Sequence, residues 1–488
     1  MKLSELLRGL DIVQRSGPEE VEIRDVASDS RQVQDGGLFV AVAGSQQNGH
    51  RYIPDVLKRN AAAIIFQDSS FFPLREPKIA HILVKDSQQA LRQVAGGFFG
   101  HPYERLRCVG ITGTNGKTTV SYLVHSILAA AGLRAGLVGT IGRRTRDEMK
   151  PLTNTTPGIV ELHRIFKEMA DAGNRIVVME VSSHALDQER VKGIKFSCVI
   201  FTNLTQDHLD YHRDMETYFC AKQKLFTDYV ESQTALVLNT DDPFGKRLFQ
   251  SAKRNVLTYG FSGQADVRSE RRVLGQDGSS AMIQIPDGAF EVRTQLVGEH
   301  NLYNILAAAA FGVSQGLKPE VIKAGIERLK FVPGRLERIE SNKDFLVFVD
   351  YAHTDDALKN VLESLRRIVH NGRIITVFGC GGDRDQGKRP KMGSVVSALS
   401  DYCIVTSDNP RSEDPQVIIA QIKEGISRKN FETEPDRMIA IQKALNMAQK
   451  GDVVLIAGKG HETTQVIGKT VLSFDDKAVV QNLLSKHV

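Results

Sequence analysis

Residues 109–119 read Val-Gly-Ile-Thr-Gly-Thr-Asn-Gly-Lys-Thr-Thr, a glycine-rich loop between two regular elements. An apolar strand is predicted at Cys108–Ile111, and a helix signal runs from Val120, where apolar residues recur at helical spacing. Gly113 and Gly116 allow a tight turn that points successive backbone N–H groups at phosphate oxygens. The loop therefore predicts an α/β sheet that carries a nucleotide-phosphate site.

Two side chains of this loop carry the expected chemistry. Lys117 supplies a cation for the β- and γ-phosphates, and the Thr118 hydroxyl is expected to meet Mg²⁺. The positive end of the following helix adds to the attraction for anions. Ile111 stands where the common phosphate-loop pattern has its first glycine, and a structural turn without nucleotide is the alternative interpretation.

Length and composition narrow the class of protein. The 488 residues suggest about three domains of ~150 residues each. A net charge of +5, from 63 basic and 58 acidic residues, is too small and too dispersed to favour nucleic acid or a membrane surface as partner. Five scattered cysteines without a C-x-x-C pair indicate reduced thiols. Because the N-terminus also lacks a signal-peptide core and no apolar run approaches the ~20 residues that span a bilayer, we expect a soluble cytoplasmic protein.

Strand and helix signals alternate along the chain and predict three α/β domains. Residues 1–105 precede the phosphate loop and form a smaller N-terminal α/β domain. Residues 106–330 form the central phosphate-loop domain, a doubly wound and mostly parallel sheet with an antiparallel edge near 265–297. Residues 331–488 form a C-terminal Rossmann-like α/β domain, whose ligands are expected at the carboxyl ends of strands. The predicted strands are Leu38–Val42, Ala62–Phe66, Ile82–Val84, Ala135–Val138, Arg175–Glu180, Cys198–Thr202, Ala235–Asn239, Phe345–Asp350, Ile374–Phe378, Tyr402–Thr406 and Val453–Ala457, with helices at Ser87–Phe99 and Leu302–Gln315.

Polar side chains follow two strands of the central domain. Glu180 ends one strand, and Asn203-Leu-Thr-Gln-Asp-His-Leu-Asp210 follows the next. One carboxylate with the substrate phosphates suffices for Mg²⁺, so Glu180 is the best single candidate for a metal ligand. Imidazole is a poor Mg²⁺ ligand, which favours a structural role for His208 taken alone, and Asp207 and Asp210 are equally consistent with helix caps.

Lys222 and Lys224 lie on a predicted helix whose phenylalanine and leucine residues face inward. From the residues alone, both lysines are interpreted as solvated surface charges. Only the resemblance described below gives Lys222 another role.

Three polar loops follow apolar strands in the C-terminal domain. Arg384 and Arg411 supply forks for carboxylates, whereas Asp408 and Glu462 supply acceptors for ammonium groups. Together the loops suit an amino-acid substrate, and ion pairs within each loop are the alternative interpretation. The loops are Gly379–Lys391, Ser407–Asp414 and Gly458–Thr463, and Asp350 and His353 follow a fourth strand end.

The order of the motifs resembles the Mur ligase family, and the match spans essentially the whole chain. In that family the glycine of the phosphate loop stands at position 113 of this chain instead of 111. The motifs are Gly-Thr-Asn-Gly-Lys-Thr-Thr at 113–119, Glu-Val-Ser-Ser-His at 180–184, Asn-Leu-Thr-Gln-Asp-His-Leu-Asp at 203–210, Gly-Glu-His-Asn-Leu-Tyr-Asn at 298–304, Pro-Gly-Arg at 333–335 and Asp-Tyr-Ala-His at 350–353.

The resemblance implies four groups of site residues. For ATP they are Gly113, Thr114, Asn115, Gly116, Lys117, Thr118, Thr119, Asn301, Arg335 and Asp350. For Mg²⁺ they are Thr118, Glu180, His208 and Lys222, the last matching a lysine that CO₂ carbamylates in relatives. For a UDP-sugar-dipeptide they are Ser30, Ser45, Gln46, Asn154, Thr155, Thr156, Ser182, Gln188 and Arg190. For diaminopimelate they are Arg384, Asp408, Asn409, Pro410, Arg411, Gly458 and Glu462, and the implied catalytic residues are Lys117, Lys222, His208 and His353.

The resemblance also implies an activity. Members with the loop Asp408-Asn-Pro-Arg411 add meso-diaminopimelate to the D-glutamate γ-carboxylate of UDP-N-acetylmuramoyl-L-alanyl-D-glutamate, in cytoplasmic peptidoglycan synthesis, through an acyl phosphate made from ATP. The implied protein is a monomer that needs Mg²⁺ and ATP and binds neither nucleic acid nor membrane. Closure about the linker 331–337 is expected to assemble the site. The alternatives are a lysine-adding member of the family, a folylpolyglutamate synthetase, and a regulatory or scaffold protein with a degenerate nucleotide site.

Overall fold

The computed structural model describes residues 1–44, 47–72, 76–252, 255–369 and 371–485. The predicted α/β class is confirmed, since the strands form sheets of five, eleven and six strands and one two-stranded hairpin. The chain divides into two compact units, one of residues 1–110, 133–199 and 224–234, the other of residues 111–132, 200–223 and 235–488. The domain boundaries 1–105, 106–330 and 331–488 stay predictions.

The N-terminal sheet is parallel except at one edge. Its order is β1-β5-β4-β3-β2, and β1 pairs antiparallel with β5. The strands β3 to β5 are buried on both faces, which is why they read as continuous apolar runs. The elements are α1 Leu3–Leu6, β1 Ile12–Ser16, β2 Val26–Ala27, β3 Leu38–Val40, α2 Ile53–Leu57, β4 Ala63–Phe66, β5 Ala80–Val84 and α3 Ser87–Phe99.

Helix α3 shows why a predicted boundary can be sharp. The Asp86 carboxylate accepts the N–H groups of Gln88 and Gln89 at its start, and Gly100 ends it in the left-handed region at φ +72°. Both signals are local in sequence, and the predicted range Ser87–Phe99 matches the helix. The segment after it is a short 3₁₀ helix at Pro102–Arg105.

The central sheet has the order β16-β15-β14-β13-β12-β11-β6-β10-β7-β8-β9. Strands β12, β13 and β14 pair in parallel, and β14 to β16 continue as an antiparallel meander, which confirms the antiparallel edge predicted near 265–297. The elements are β6 Arg107–Thr112, α4 Lys117–Ala130, β7 Ala135–Val138, β8 Arg143–Arg144, β9 Met149–Lys150, α5 Ile159–Asp171, β10 Ile176–Glu180, α6 Ser183–Asp187, β11 Phe196–Phe201, α7 Leu209–His212, α8 Met215–Thr227, β12 Val230–Asn239, α9 Pro243–Ser251, β13 Val256–Gly260, β14 Val267–Gly275, β15 Gly278–Ile285, β16 Gly288–Thr294, α10 Glu299–Ser314 and α11 Pro319–Arg328.

The C-terminal sheet has the order β17-β18-β22-β19-β20-β21, parallel throughout except for β17. Two apolar clusters cover its two faces. The carboxyl ends of β18, β22, β19 and β20 are therefore neighbours, and the polar loops that follow them meet at one edge. The elements are β17 Glu337–Ile339, β18 Leu346–Asp350, α12 Asp355–Ile368, β19 Ile374–Phe378, α13 Lys388–Leu399, β20 Tyr402–Val405, α14 Pro415–Lys423, β21 Phe431–Thr433, α15 Arg437–Met447, β22 Val453–Ala457, β23 Thr464–Ile467, β24 Thr470–Ser473 and α16 Asp476–Ser485.

Within the described ranges, no helix is both long enough and apolar enough to cross a membrane.

Candidate active site

The phosphate loop joins β6 to α4 within the second unit. Gly113 and Gly116 have φ of +150° and +85°, in the region that favours glycine. A Cβ at Gly113 would collide with the Thr202 hydroxyl, and one at Gly116 with the Asn304 amide. Helix α4 begins at Lys117, three residues before the helix signal noted at Val120, so Lys117 and Thr118 belong to its first turn.

The Lys117 ammonium lies back over its own loop. It donates to the Gly113 carbonyl at 2.9 Å and to the Thr114 carbonyl at 2.8 Å. The neighbouring Thr118 hydroxyl accepts a hydrogen bond from Arg335 Nη2 at 3.1 Å. Three residues predicted to bind ATP thus meet at the start of α4, where the helix dipole favours anions.

The loop after β11 packs against the phosphate loop. The Thr114 N–H donates to the Asn203 carbonyl and the Asn115 N–H to Asn203 Oδ1, both at 2.9 Å. The Asn115 side chain reaches Asp356 on α12, donating to its Oδ2 at 2.8 Å, and the Thr205 hydroxyl donates to the same oxygen at 2.8 Å. The loop after β11 and the first turn of α12 therefore hold the phosphate loop in one shape.

Lys222 is buried, and the surface interpretation of its charge is wrong. Its side chain lies on α8 with 1% of the residue exposed, and Nζ donates to the Gly113 carbonyl at 2.9 Å. Burial, reinforced by the charge of Lys117, lowers the pKa of Lys222 well below its usual value, although Asp207 opposes the shift. By contrast, Lys224 is partly exposed and pairs with Asp187 at 3.3 Å, as expected for a surface charge.

Asp207 and His208 lie side by side at the start of α7. His208 Nε2 is 3.3 Å from Asp207 Oδ2, and Asp207 Oδ1 accepts the His208 N–H at 2.9 Å. Burial raises the pKa of Asp207, but electrostatic interactions with His208, His353, Lys388 and Lys117 bring it below the usual value. These interactions therefore favour the ionised carboxylate of Asp207.

Asp350 and Arg335 lie where the C-terminal domain begins. The buried Asp350 carboxylate accepts N–H groups of Leu336 and Ala352, and burial raises its pKa. The Arg335 guanidinium lies 4.5 Å from the centre of the Tyr351 ring, a cation–π contact.

Two further predicted residues, His353 and Asn301, are held by backbone carbonyls. His353 Nδ1 is 2.8 Å from the Tyr351 carbonyl, and burial, followed by the charge of Lys388, lowers the His353 pKa to about 4. The imidazole is therefore neutral at pH 7. Asn301 is buried in α10, where its amide donates to the Val297 carbonyl at 2.8 Å and accepts from Asn304 at 3.0 Å.

In the first unit, Glu180 ends β10 inside a polar network. The Thr140 N–H and hydroxyl donate to its two carboxylate oxygens at 2.9 Å and 2.8 Å, and the Thr140 hydroxyl also lies 3.1 Å from that of Thr155. The Thr156 hydroxyl donates to the Glu180 carbonyl and accepts the Ser182 N–H.

Arg190 extends this network to further residues of the predicted UDP-sugar-dipeptide set. It donates to the Thr156 carbonyl at 2.9 Å and to Gln188 Oε1 at 2.7 Å. Most of that set thus converges, whereas Asn154 is exposed and Ser30 begins a 3₁₀ helix, Ser30–Gln32, in the N-terminal sheet region. Ser45 and Gln46 lie outside the described residues.

The predicted diaminopimelate residues of the second unit meet at the carboxyl edge of the C-terminal sheet. The Asn409 amide donates to Glu462 Oε2 at 2.7 Å, and a Cβ at Gly458, which has φ +116°, would collide with the Asp408 carboxylate. Pro410, which precedes Arg411 in the chain, is buried. Arg384 is exposed on the loop after β19.

Arg411 is held by backbone on two sides. It is a non-glycine residue at φ +52°, and the hairpin β23–β24 accepts its N–H at the Val466 carbonyl and donates the Gly468 N–H to its carbonyl. Its guanidinium donates to the Gly382 carbonyl at 2.7 Å. Such backbone strain at a charged residue commonly marks a functional position.

Comparison with known proteins identifies the family. Family models described as "Mur ligase family, catalytic domain", "Mur ligase middle domain" and "Mur ligase, glutamate ligase domain" match residues 22–99, 111–312 and 334–460. A UDP-N-acetylmuramoyl-L-alanyl-D-glutamate–2,6-diaminopimelate ligase of Geobacter metallireducens is 45% identical over 98% of this chain and 98% of its own length. The chain belongs to the Mur ligase family. A protein of the same name from Clostridium perfringens is 40% identical over 99% of both chains.

Solved Mur ligase structures share the fold. One, a UDP-N-acetylmuramoyl-L-alanyl-D-glutamate–2,6-diaminopimelate ligase, is 31% identical, covers 96% of this chain and 95% of its own, and superposes with a TM-score of 0.66. A MurF ligase from Thermotoga maritima, solved with ADP, has a TM-score of 0.65 at 21% identity, with 95% of this chain and 99% of its own covered. The predicted family, its ligase class and the three-domain α/β architecture are confirmed.

The donor set fits a Mg²⁺ ion that arrives with nucleotide. Within the described part of the chain, no group of three His, Cys, Asp or Glu side chains could hold a metal ion by itself. Mg²⁺ needs no such cage, because one or two protein oxygens plus substrate phosphates and water complete its octahedron. The Thr118 hydroxyl at the phosphate loop and a carbamate on the adjacent Lys222 would supply such oxygens within the second unit.

Sequence reasoning missed the residues behind this site. Asp356, Arg389 and Lys459 each bind two or more loops that carry predicted site residues. For Lys459 the sequence carries one weak indication of a role at the site, because this residue stands inside the loop motif Gly-Lys-Gly-His-Glu. Asp356 and Arg389 lie at helix starts, where charged residues are common and say nothing of long-range partners.

Proposed function

We propose that the chain joins meso-diaminopimelate to the D-glutamate γ-carboxylate of UDP-N-acetylmuramoyl-L-alanyl-D-glutamate, at the expense of ATP. The observation that carries the proposal is Arg411, held at the carboxyl edge of the C-terminal sheet beside Asp408 and Asn409. The names of the relatives support the same substrates. Relatives that are 38–45% identical to this chain over nearly their whole length carry the name of the ligase that adds 2,6-diaminopimelate.

Activation of the carboxylate comes first. A carboxylate is a poor electrophile, so one of its oxygens attacks the γ-phosphorus of ATP and ADP leaves, which yields an acyl phosphate. Lys117 and the N–H groups of the phosphate loop counter the negative charge of the transferred phosphoryl group. A bound Mg²⁺ would add positive charge at the phosphates, with Thr118 and carbamylated Lys222 as ligands, and Glu180 and His208 stay predicted ligands.

Lys222 is suited to carbamylation because of its surroundings. Burial lowers the pKa of Lys222 and so favours its neutral amine, the form that attacks CO₂ to give a carbamate with release of one proton. The product places an anion close to Gly113, where the charge of Lys117 disfavours an ammonium group on Lys222. A carbamate at this position and the Lys117 cation attract each other.

Amide formation follows. The deprotonated amine of the amino acid attacks the acyl carbon, the tetrahedral intermediate collapses, and inorganic phosphate leaves. No covalent enzyme intermediate is needed. With a pKa of about 4, His353 is a weak base at neutral pH, so we assign it a hydrogen-bonding role.

Arg411 supplies the preference for diaminopimelate. The far end of that substrate carries a carboxylate, which a guanidinium binds through two hydrogen bonds. L-lysine has no such carboxylate and would leave Arg411 without this partner. A charged hydrogen bond contributes about 1.5–3 kcal/mol, or roughly 10- to 150-fold in binding.

The test measures phosphate release with UDP-N-acetylmuramoyl-L-alanyl-D-glutamate, ATP and either meso-diaminopimelate or L-lysine. We expect turnover with diaminopimelate, and Arg411→Ala should raise its KM about tenfold or more while the KM for ATP changes less than about twofold. Arg428→Ala, which removes an arginine that donates to the Ser397 and Ala398 carbonyls, is the control. Faster turnover of wild type with L-lysine, or unchanged diaminopimelate kinetics in Arg411→Ala, would contradict the proposal.

A further inference from the structure

Lys459 is a fully buried cation behind the proposed amino-acid site. It follows β22, with 0% of its residue exposed. Its ammonium donates to the Thr464 carbonyl at 2.6 Å, to Glu462 Oε2 at 3.2 Å and to Asn409 Oδ1 at 3.3 Å. Three donors therefore meet three acceptors, which is the full capacity of an ammonium group.

These bonds decide how Asn409 and Glu462 are oriented. Asn409 Oδ1 accepts from Lys459 and from the Val466 N–H, so the amide nitrogen must face the other way. There it donates to Glu462 Oε2 at 2.7 Å. Glu462 Oε2 thus takes two donors, which leaves Oε1 of a carboxylate that is 30% exposed as the oxygen for a ligand.

We propose that Lys459 is a positioning residue for amino-acid binding: it fixes Asn409 and Glu462 so that they receive the amino-acid head group. Lys459 itself is buried beneath them and acts through the two side chains. The inference rests on the proposed function, because it takes Asn409 and Glu462 as part of the amino-acid site.

A general structural role makes a different prediction, and Arg373 supplies the comparison. Arg373 precedes β19 and pairs at 2.7 Å with Asp452, which is 4% exposed and precedes β22. This ion pair lies at the amino ends of the strands whose carboxyl ends lead to the site. Loss of either cation removes the ion pair of a carboxylate, but of these two cations Lys459 is the one beneath the proposed amino-acid site.

The experiment compares Lys459→Met, Lys459→Arg and Arg373→Met in the full-length enzyme. We expect Lys459→Met to raise the KM for meso-diaminopimelate about tenfold or more, with the KM for ATP and for the UDP-dipeptide within about twofold. Lys459→Arg restores the charge and should recover part of this loss. Arg373→Met should leave all three KM values unchanged even if its melting temperature falls. Equal rises of all KM values in Lys459→Met, or a rise of the diaminopimelate KM in Arg373→Met, would overturn the inference.

A double-mutant cycle with Glu462→Gln keeps the test decisive if Lys459→Met is poorly stable. If Lys459 acts in part through Glu462, the binding loss of the double variant Lys459→Arg/Glu462→Gln should be smaller in free energy than the sum of the two single losses. Additive losses would contradict the inference. If wild type turns over a different amino acid, the proposed function fails, and the same variants are measured with that amino acid, so the two failures are distinguishable.

Discussion

Lys222 is the residue whose role depends most on its surroundings. On the helix Met215–Thr227 it is a charged residue like Lys224, two positions further on. In the folded chain Lys224 is partly exposed to water, whereas Lys222 is buried against Gly113, next to Lys117. The same residue type therefore supplies a surface charge at position 224 and a buried amine with a lowered pKa at position 222.

Removal of this amine should stop turnover. We expect Lys222→Ala to lose nearly all activity, because neither a carbamate nor an ammonium is then present beside Gly113. Added bicarbonate should not restore the variant, whereas it should restore wild type assayed in CO₂-free buffer. Phosphate release in matched buffers checks both expectations, with Lys224→Ala as the control. Near-normal activity of Lys222→Ala would remove Lys222 from the mechanism.

The buried amine also predicts a pH-dependent stability. Since the folded-state pKa of Lys222 is lowered, the unfolded chain binds more protons, and this group costs stability below its unfolded pKa of about 10.4. That cost fades as pH rises towards this value. Lys222→Met should therefore melt higher than wild type at pH 7 in CO₂-free buffer, by about 1–2 °C for each kcal/mol relieved, and the difference should shrink by pH 10. Calorimetry of both proteins at the two pH values measures it, and a lower melting temperature for Lys222→Met at pH 7 would contradict the expectation.

At the scale of elements, the buried parallel strands were predictable, whereas the exposed strand β1 and the hairpin β23–β24 were not. Ile374–Phe378 and Val453–Ala457 match their predictions because central parallel strands are apolar on both faces. Strand β1, Ile12–Ser16, was missed, since its residues are exposed and show no alternation. The hairpin β23–β24 was missed for the same reason, although it is the element that holds Arg411.

The two loops around Arg411 are joined by Arg389. This fully buried guanidinium binds both carboxylate oxygens of Glu413 at 2.8 Å and 2.9 Å and donates to the Gly381 carbonyl at 3.1 Å. Arg411 in turn donates to the next carbonyl, that of Gly382. By joining these two loops, Arg389 therefore sets where the guanidinium of Arg411 lies.

Loss of the Arg389 contacts should weaken the discrimination between meso-diaminopimelate and L-lysine. We expect Arg389→Met to lower the ratio of kcat/KM for meso-diaminopimelate to that for L-lysine about tenfold, because Arg411 is no longer held. Arg366→Met, which removes an exposed ion pair to Asp401 on the same domain, should leave the ratio unchanged. Steady-state kinetics with both amino acids measure the ratio. An unchanged ratio in a folded Arg389→Met variant would contradict the role of Arg389 in positioning Arg411.

At the scale of the molecule, the second unit unites the phosphate loop with the amino-acid loops. Asp356, in the first turn of α12, accepts from Asn115 of the phosphate loop and from Thr205. Arg335, in the linker before the C-terminal domain, donates a hydrogen bond to the Thr118 hydroxyl. These bonds tie residues separated by more than 200 positions, except for the Thr205 contact, which spans 151.

The hydrogen bonds that Asp356 accepts should affect the rate of the chemical step more than the binding of ATP. We expect Asp356→Ala to lower kcat about tenfold, since one or two hydrogen bonds that position the phosphate loop are lost, with a smaller change in the KM for ATP. Asp355→Ala is the matched control, because Asp355 also stands in the first turn of α12 and shares its helix-dipole effect. Equal effects of the two substitutions would mean that only the helix start matters.

The sequence by itself determined the α/β class, the phosphate loop and the family, because each depends on local patterns: apolar strands, glycines at positive φ, and short motifs in order. Which loops meet, that Lys222 is buried, and that Lys459, Arg389 and Asp356 support the site were decided only by the tertiary structure. Burial and hydrogen bonding between distant segments depend on chain packing, and no local pattern of residues records them.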